Sequence, residues 1–113
     1  MTTRLLFDAW RLPDGEADLT VMRVEATGTV GGARQTWTWD LYDEADPATG
    51  FHSMARTTGF PCAIAARLLA RGELKRPGIQ PPERLAGDDR FFTAMMDGLR
   101  ERGVTLTRTV ARA

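Results

Sequence analysis

At 113 residues, 42% of them hydrophobic and with three Trp and five Phe, the chain has the size and composition of one packed domain and not of a disordered segment. Fifteen Lys and Arg balance fifteen Asp and Glu, and a formal net charge of zero argues against nucleic acid or an anionic membrane as partner. The single cysteine, Cys62, excludes an internal disulfide, and no apolar run reaches the roughly 20 residues of a membrane span, so a soluble, reducing, cytoplasmic setting is expected.

The first element is "RLLFDAWRL", residues 4–12, where Leu5, Leu6, Ala9 and Trp10 share one helical face; the pattern predicts a short amphipathic helix stopped by Pro13. "PDGEAD" is a turn. From Asp18 to Thr29, β-branched residues alternate between two faces and predict a strand. Gly31-Gly32 then leads into "QTWTWDLYD", in which Gln35, Trp37, Trp39 and Leu41 alternate with Thr36, Thr38 and Asp40. That is a hairpin with one aromatic, apolar face and one threonine-rich face.

"EADPATG" is a loop. A helix is expected from about Gly59 to Arg71, with Phe60, Ala63, Ile64, Leu68 and Leu69 on its apolar side and Gly72 at its end. "KRPGIQPPERLAG" is loop with one possible helical turn around Glu83 to Leu85. Asp88 or Asp89 caps "DRFFTAMMDGLRER", whose Phe92, Met95, Met96 and Leu99 recur at helical spacing up to Gly103. "VTLTRTV" alternates again and predicts a third strand. The fold class expected is α+β: a small antiparallel or mixed sheet, made of the hairpin and the C-terminal strand, with helices packed on one face and residues 1–113 forming a single domain.

Little of this carries chemistry. His52 has no second metal ligand at a useful spacing and no nucleophile beside it, so it reads as a loop histidine. Cys62, next to Ala63 and Ile64, reads as a packing residue. Gly28, Gly31 and Gly32 sit in a hairpin and open no helix, so no dinucleotide or P-loop fingerprint is present. Trp37 and Trp39 could stack bases, but neutral charge and strand alternation favour a core or interface role. Catalytic groups are not assigned and no metal site is expected.

The stretch "HSMARTTGF" stands apart. Two readings fit it. Bare N–H groups and the positive end of a helix dipole attract an anion, and Arg56, Thr57, Thr58 and the Gly59 amide would converge on it. Alternatively Thr58 is an N-cap, Pro61 occupies the first turn, and Arg56 pairs with a nearby acid.

"GEADLTVMRVEATGTVGG", "LYDEADPATGFHSMARTTGFPCAIAARLLARGEL", "PGIQPPERL" and "LRERGVTL" together resemble the C-terminal part of saccharopine dehydrogenase-like proteins, a family of NAD(P)-dependent amino-acid oxidoreductases. "SMARTTGFP" and the paired "PG..PPE" stretch are its most specific pieces. The resemblance implies a substrate-binding and dimerisation region acting with an N-terminal Rossmann domain that is absent from these residues. It implies NAD or NADP as cofactor of the parent protein, with none bound by this chain alone. It further implies an amino-acid-like substrate, a homodimer, and Ser53, Arg56, Thr57, Thr58 and Gly59 as the residues facing a substrate carboxylate. The alternative is a non-catalytic dimerisation or binding module on the same fold. In either case the threonine-rich sheet face is expected to meet water or a second copy.

Overall fold

The computed structural model describes residues 15–112 together with Thr3, Leu6, Phe7 and residues 10–13. The amphipathic helix expected over residues 4–12 falls in part outside the described residues.

Two long strands dominate the molecule. β1 (Leu19–Val30) and β2 (Ala33–Glu44) pair antiparallel without interruption from Leu19↔Glu44 to Val30↔Ala33. The two-residue turn between them works because Gly31 and Gly32 both take positive φ, 57° and 81°, a conformation that side-chain-bearing residues rarely adopt. β3 (Leu106–Arg112) pairs antiparallel with the other side of β2, giving the order β1-β2-β3 and leaving β1 and β3 as edges. The fold is α+β, as expected.

Three helices follow the hairpin: α1 (Ser53–Ala70), the single turn α2 (Pro82–Leu85) and α3 (Asp89–Arg100). The Asp88 carboxylate caps α3 by accepting from the Arg90 and Phe91 amides. Both long helices end the same way. Gly72 and Gly103 take φ of 71° and 76°, and the next amides, of Glu73 and Val104, return to Leu68 O and Leu99 O. This turns Leu74 and Val104 inward, where they join Leu41, Ile64, Leu68, Leu85 and Leu99 in the core. Each such side chain stabilises the fold by about 1.5–3 kcal/mol when fully buried.

α1 starts six residues before the expected Gly59. His52, in extended conformation, occupies the N-cap position and makes no side-chain cap bond, so Thr58 is not a cap and Pro61 lies inside the helix. An internal proline leaves the Thr57 carbonyl without its helical donor. Cys62, expected among packed neighbours, is exposed instead, as are Ala63 and Leu69; α1 buries the narrower stripe of Ser53, Arg56, Ile64 and Leu68.

The helices cover one face of the sheet but only at one end of it. Leu41 and Asp43 of β2 are buried there, whereas Met22, Val24 and Val110, further along the same face, are 40%, 46% and 42% exposed. The opposite face carries directly paired polar side chains. Arg23 donates to Asp40 (2.6 and 3.2 Å), Thr27 and Thr36 join at 2.9 Å, and Thr38 donates to Glu25 at 3.3 Å. The threonine-rich face therefore spends much of its bonding capacity within the hairpin, and the helix-side face is the one left short of apolar cover.

Candidate functional site

The junction between the hairpin and α1 holds the buried charged groups, Asp43 and Arg56. Ser53, the first residue of α1, is fully buried: its hydroxyl donates to Asp43 O at 2.9 Å and lies 2.7 Å from Thr20 Oγ1, whose hydroxyl can donate in return. The amides of Ser53 and Met54 donate to the Asp18 carboxylate at 2.6 and 2.9 Å. The anion that the helix N-terminus attracts is thus supplied by the chain itself, from the residue preceding β1. The Met54 amide, with the Ser53 amide and the adjacent His52, holds the Asp18 carboxyl below the usual carboxylate range. His52 Nδ1 lies 3.3 Å from Asp18 Oδ1.

Arg56 is buried at 7% exposure and closed in on every side. Its Nε lies 3.2 and 3.3 Å from the two Asp43 oxygens, Nη2 lies 3.1 Å from Asp43 Oδ1 and 3.2 Å from Arg102 O, and Nη1 lies 3.4 Å from Asp46 Oδ2. The guanidinium also sits over the Phe60 ring at 5.6 Å, with Arg102 over the same ring at 6.0 Å. Asp46 shapes its own loop meanwhile, accepting from Thr49 Oγ1 and the Ala48 amide, and these bonds lower its carboxyl pKa.

The remaining residues of the motif turn back on the helix. Thr57 Oγ1 donates to Ser53 O at 2.9 Å and Thr58 Oγ1 to Met54 O at 2.5 Å, the i−4 pattern of helical threonines. Gly59 has nothing within 4 Å of where a Cβ would be. So Ser53 and Arg56 come together in one buried network, while Thr57, Thr58 and Gly59 lie along the outer side of α1. The shallow depression beside Arg56 is lined by three carboxylates, of Asp43, Glu44 and Asp46, against two guanidiniums, of Arg56 and Arg102. That balance leaves no spare positive charge for an incoming carboxylate.

The sequence reading missed Asp18, Asp43, Asp46, Phe60 and Arg102. One signal was available: Asp43 continues the Gln35, Trp37, Trp39, Leu41 alternation, so it lies on the face that packs, and a buried acid needs a cation. Asp18 and Arg102 gave no comparable sign, because their partners are far away in sequence.

A second concavity, of about 350 Å³, lies between α3 and the sheet, with Trp39, Phe92, Met96 and Leu106 in its lining and Arg108 at its side. Neither the glycine turn nor the start of α1 forms the pyrophosphate-binding turn of a dinucleotide site. Gly31 and Gly32 turn one strand into another with no helix start behind them to take a pyrophosphate, and the start of α1 is filled by Asp18. Among the described residues, no three His, Cys, Asp or Glu side chains gather as metal ligands, and no helix is long and apolar enough to cross a membrane.

Residues 1–104 match the family described as saccharopine dehydrogenase C-terminal domain. The chain belongs to that family. It is 30% identical over 98 residues to saccharopine dehydrogenase (NADP(+), L-glutamate-forming) of Schizosaccharomyces pombe, which covers 86% of this chain and 21% of the yeast protein. It is 39% identical over 70 residues to the mitochondrial alpha-aminoadipic semialdehyde synthase of Bos taurus, covering 60% of this chain and 7% of that protein. The chain therefore spans about a fifth of the first relative and less than a tenth of the second. No solved structure matches it. Within the family match lie both the hairpin and the whole "SMARTTGFP" helix start, so the matched segment and the buried Arg56 network coincide.

Proposed function

We propose that these residues are the substrate-side and dimerisation portion of a saccharopine dehydrogenase-like oxidoreductase. The parent protein would pass a hydride between NAD or NADP and the carbon of a C–N bond in an amino-acid-like substrate. The observation that carries this reading is the family match over residues 1–104. The name of the fission yeast relative, with NADP(+) and L-glutamate in it, supports the choice of cofactor and substrate class.

In this reading a Rossmann domain outside these residues binds the nicotinamide, and the present chain contributes shape and position. Ser53 and Arg56 serve the substrate side by fixing the angle at which α1 leaves the hairpin, and Thr57, Thr58 and Gly59 by lining the outer side of α1 that the substrate would meet. A substrate carboxylate reaching Arg56 would have to displace Asp46, whose 3.4 Å contact is the longest of the guanidinium's bonds. The closed network favours one further reading, a non-catalytic assembly module.

The test is a turnover assay on the protein that carries these residues, following NADPH formation with saccharopine as substrate and L-glutamate as product. Cofactor reduction with glutamate release is expected, and the isolated 113-residue chain is expected to bind neither NAD nor NADP in calorimetric titration. A parent protein that neither binds a nicotinamide cofactor nor turns over would leave the assembly module in its place.

A further inference from the structure

β1 presents an open edge twelve residues long. Asp18 O accepts from Ala45 N, and hydrogen-bonded pairs alternate along an antiparallel ladder, so the even-numbered residues of β1 bond to β2. The odd-numbered ones, Leu19, Val21, Arg23, Glu25, Thr27 and Thr29, direct their N–H and C=O groups away from it. Among the described residues nothing bonds to these groups. The edge contains neither Pro nor Lys, its register is continuous, and among the described residues no strand pairs with it; the charges it carries are Arg23 and Glu25.

We propose that this edge pairs with the same edge of a second copy, antiparallel, about a two-fold axis passing through Val24. The inference rests on reading this region as an assembly surface, and it specifies how the assembly forms. The register follows from charge. Centred on Val24, Arg23 lies opposite Glu25 of the second copy, and by symmetry Glu25 lies opposite its Arg23. A shift of the centre by one residue sets Arg23 opposite Arg23 in one direction and Glu25 opposite Glu25 in the other, each destabilising. A pairing of odd with even residues is excluded because it would face outward-directed groups with groups already bonded to β2.

Both faces of the joined sheet agree with this register. On the polar face, Arg23 comes to lie between Asp40 of its own hairpin and Glu25 of the second copy, continuing the charge alternation already present. On the helix side, Val24 meets Val24 and Met22 meets Ala26, covering apolar side chains that are exposed in the single chain. The result is one continuous six-stranded sheet, with the same patch used by both copies.

The test is sedimentation equilibrium of the chain and of charge variants. The unaltered chain is expected at twice its 12.5 kDa mass. Glu25→Arg is expected to weaken association about tenfold or more, since two symmetric pairs change from attraction to repulsion. Arg23→Glu is expected to do the same, and an equimolar mixture of the two variants to restore a dimer, because each then supplies the charge the other lacks. Arg23→Glu also faces Asp40 and could perturb folding, so a second measurement stands beside it. In a Cys62→Ser background, Val24→Cys is expected to cross-link spontaneously, its facing Cα atoms being about 4.5 Å apart in a non-hydrogen-bonded pair. Met22→Cys, which faces Ala26, is not. A monomeric unaltered chain, association indifferent to Glu25→Arg, or cross-linking through Met22→Cys in preference to Val24→Cys would each overturn the proposal. Turnover of the parent protein is read separately, so failure of the pairing and failure of the oxidoreductase reading are told apart.

Discussion

Two glycines of the helices show how differently one residue type is used. Gly59 in α1 has open space where a Cβ would go. Gly98 in α3 is where that helix meets α1: an added Cβ would lie 2.9, 3.0 and 3.3 Å from three carbons of Ile64. Both have helical backbone, so alanine's helix propensity should prevail at the first site. Gly59→Ala is expected to raise unfolding free energy by about 0.5–1 kcal/mol in urea titration. If Gly59 lay against a substrate in the parent enzyme, the same change would instead raise KM. Gly98→Val is expected to lower stability by about 1–3 kcal/mol, because the branched side chain has to displace Ile64 from a packed core position. Nothing in the sequence separates these two glycines. Both lie inside helices, and the contact that distinguishes them joins residues 64 and 98, far apart in sequence.

The hairpin was legible because its information is local: Gly31-Gly32 sets the turn, and the alternation of Trp37, Trp39 and Leu41 sets which face packs. α3 was legible for the same reason, with Asp88 three residues from the amide it caps. The start of α1 was not. Its first amides are capped by Asp18, 35 and 36 residues earlier in the chain, so no local rule places the boundary at Ser53. This has a consequence for pH. The carboxyl of Asp18 titrates lower in the folded chain than in the unfolded one, chiefly through the Met54 amide bond. A lowered carboxyl pKa contributes stability that is fully present above the unfolded value and is lost as pH falls through the folded one. Asp18→Ala is therefore expected to lower the thermal midpoint at neutral pH, and the loss should shrink as the pH is taken below the ordinary carboxylate range. Melting curves across that range, read by circular dichroism, check it; a constant difference at every pH would show that Asp18 does not act through its charge.

Across the whole chain, one side chain ties the parts together. Arg56 of α1 reaches Asp43 of β2, Asp46 in the following loop and the Arg102 carbonyl beyond α3, with Phe60 beneath it. The sequence showed that "SMARTTGFP" was special and left open whether its arginine met a ligand or an acid of the chain. Asp43 and Asp46 occupy the guanidinium, and the core around it is only a handful of aliphatic side chains. Removing one partner of such a pair strands a buried charge, so Arg56→Met and Asp43→Asn should each cost about 3–5 kcal/mol. The measurement that bears most directly on this account is the double-mutant cycle of Arg56→Met with Asp43→Asn, by urea unfolding. The account predicts that the double variant is less destabilised than the sum of the single ones, with a coupling of about 0.5–3 kcal/mol. Strict additivity, with Arg56→Met leaving stability unchanged and raising KM in the parent enzyme, would contradict it and return Arg56 to the substrate.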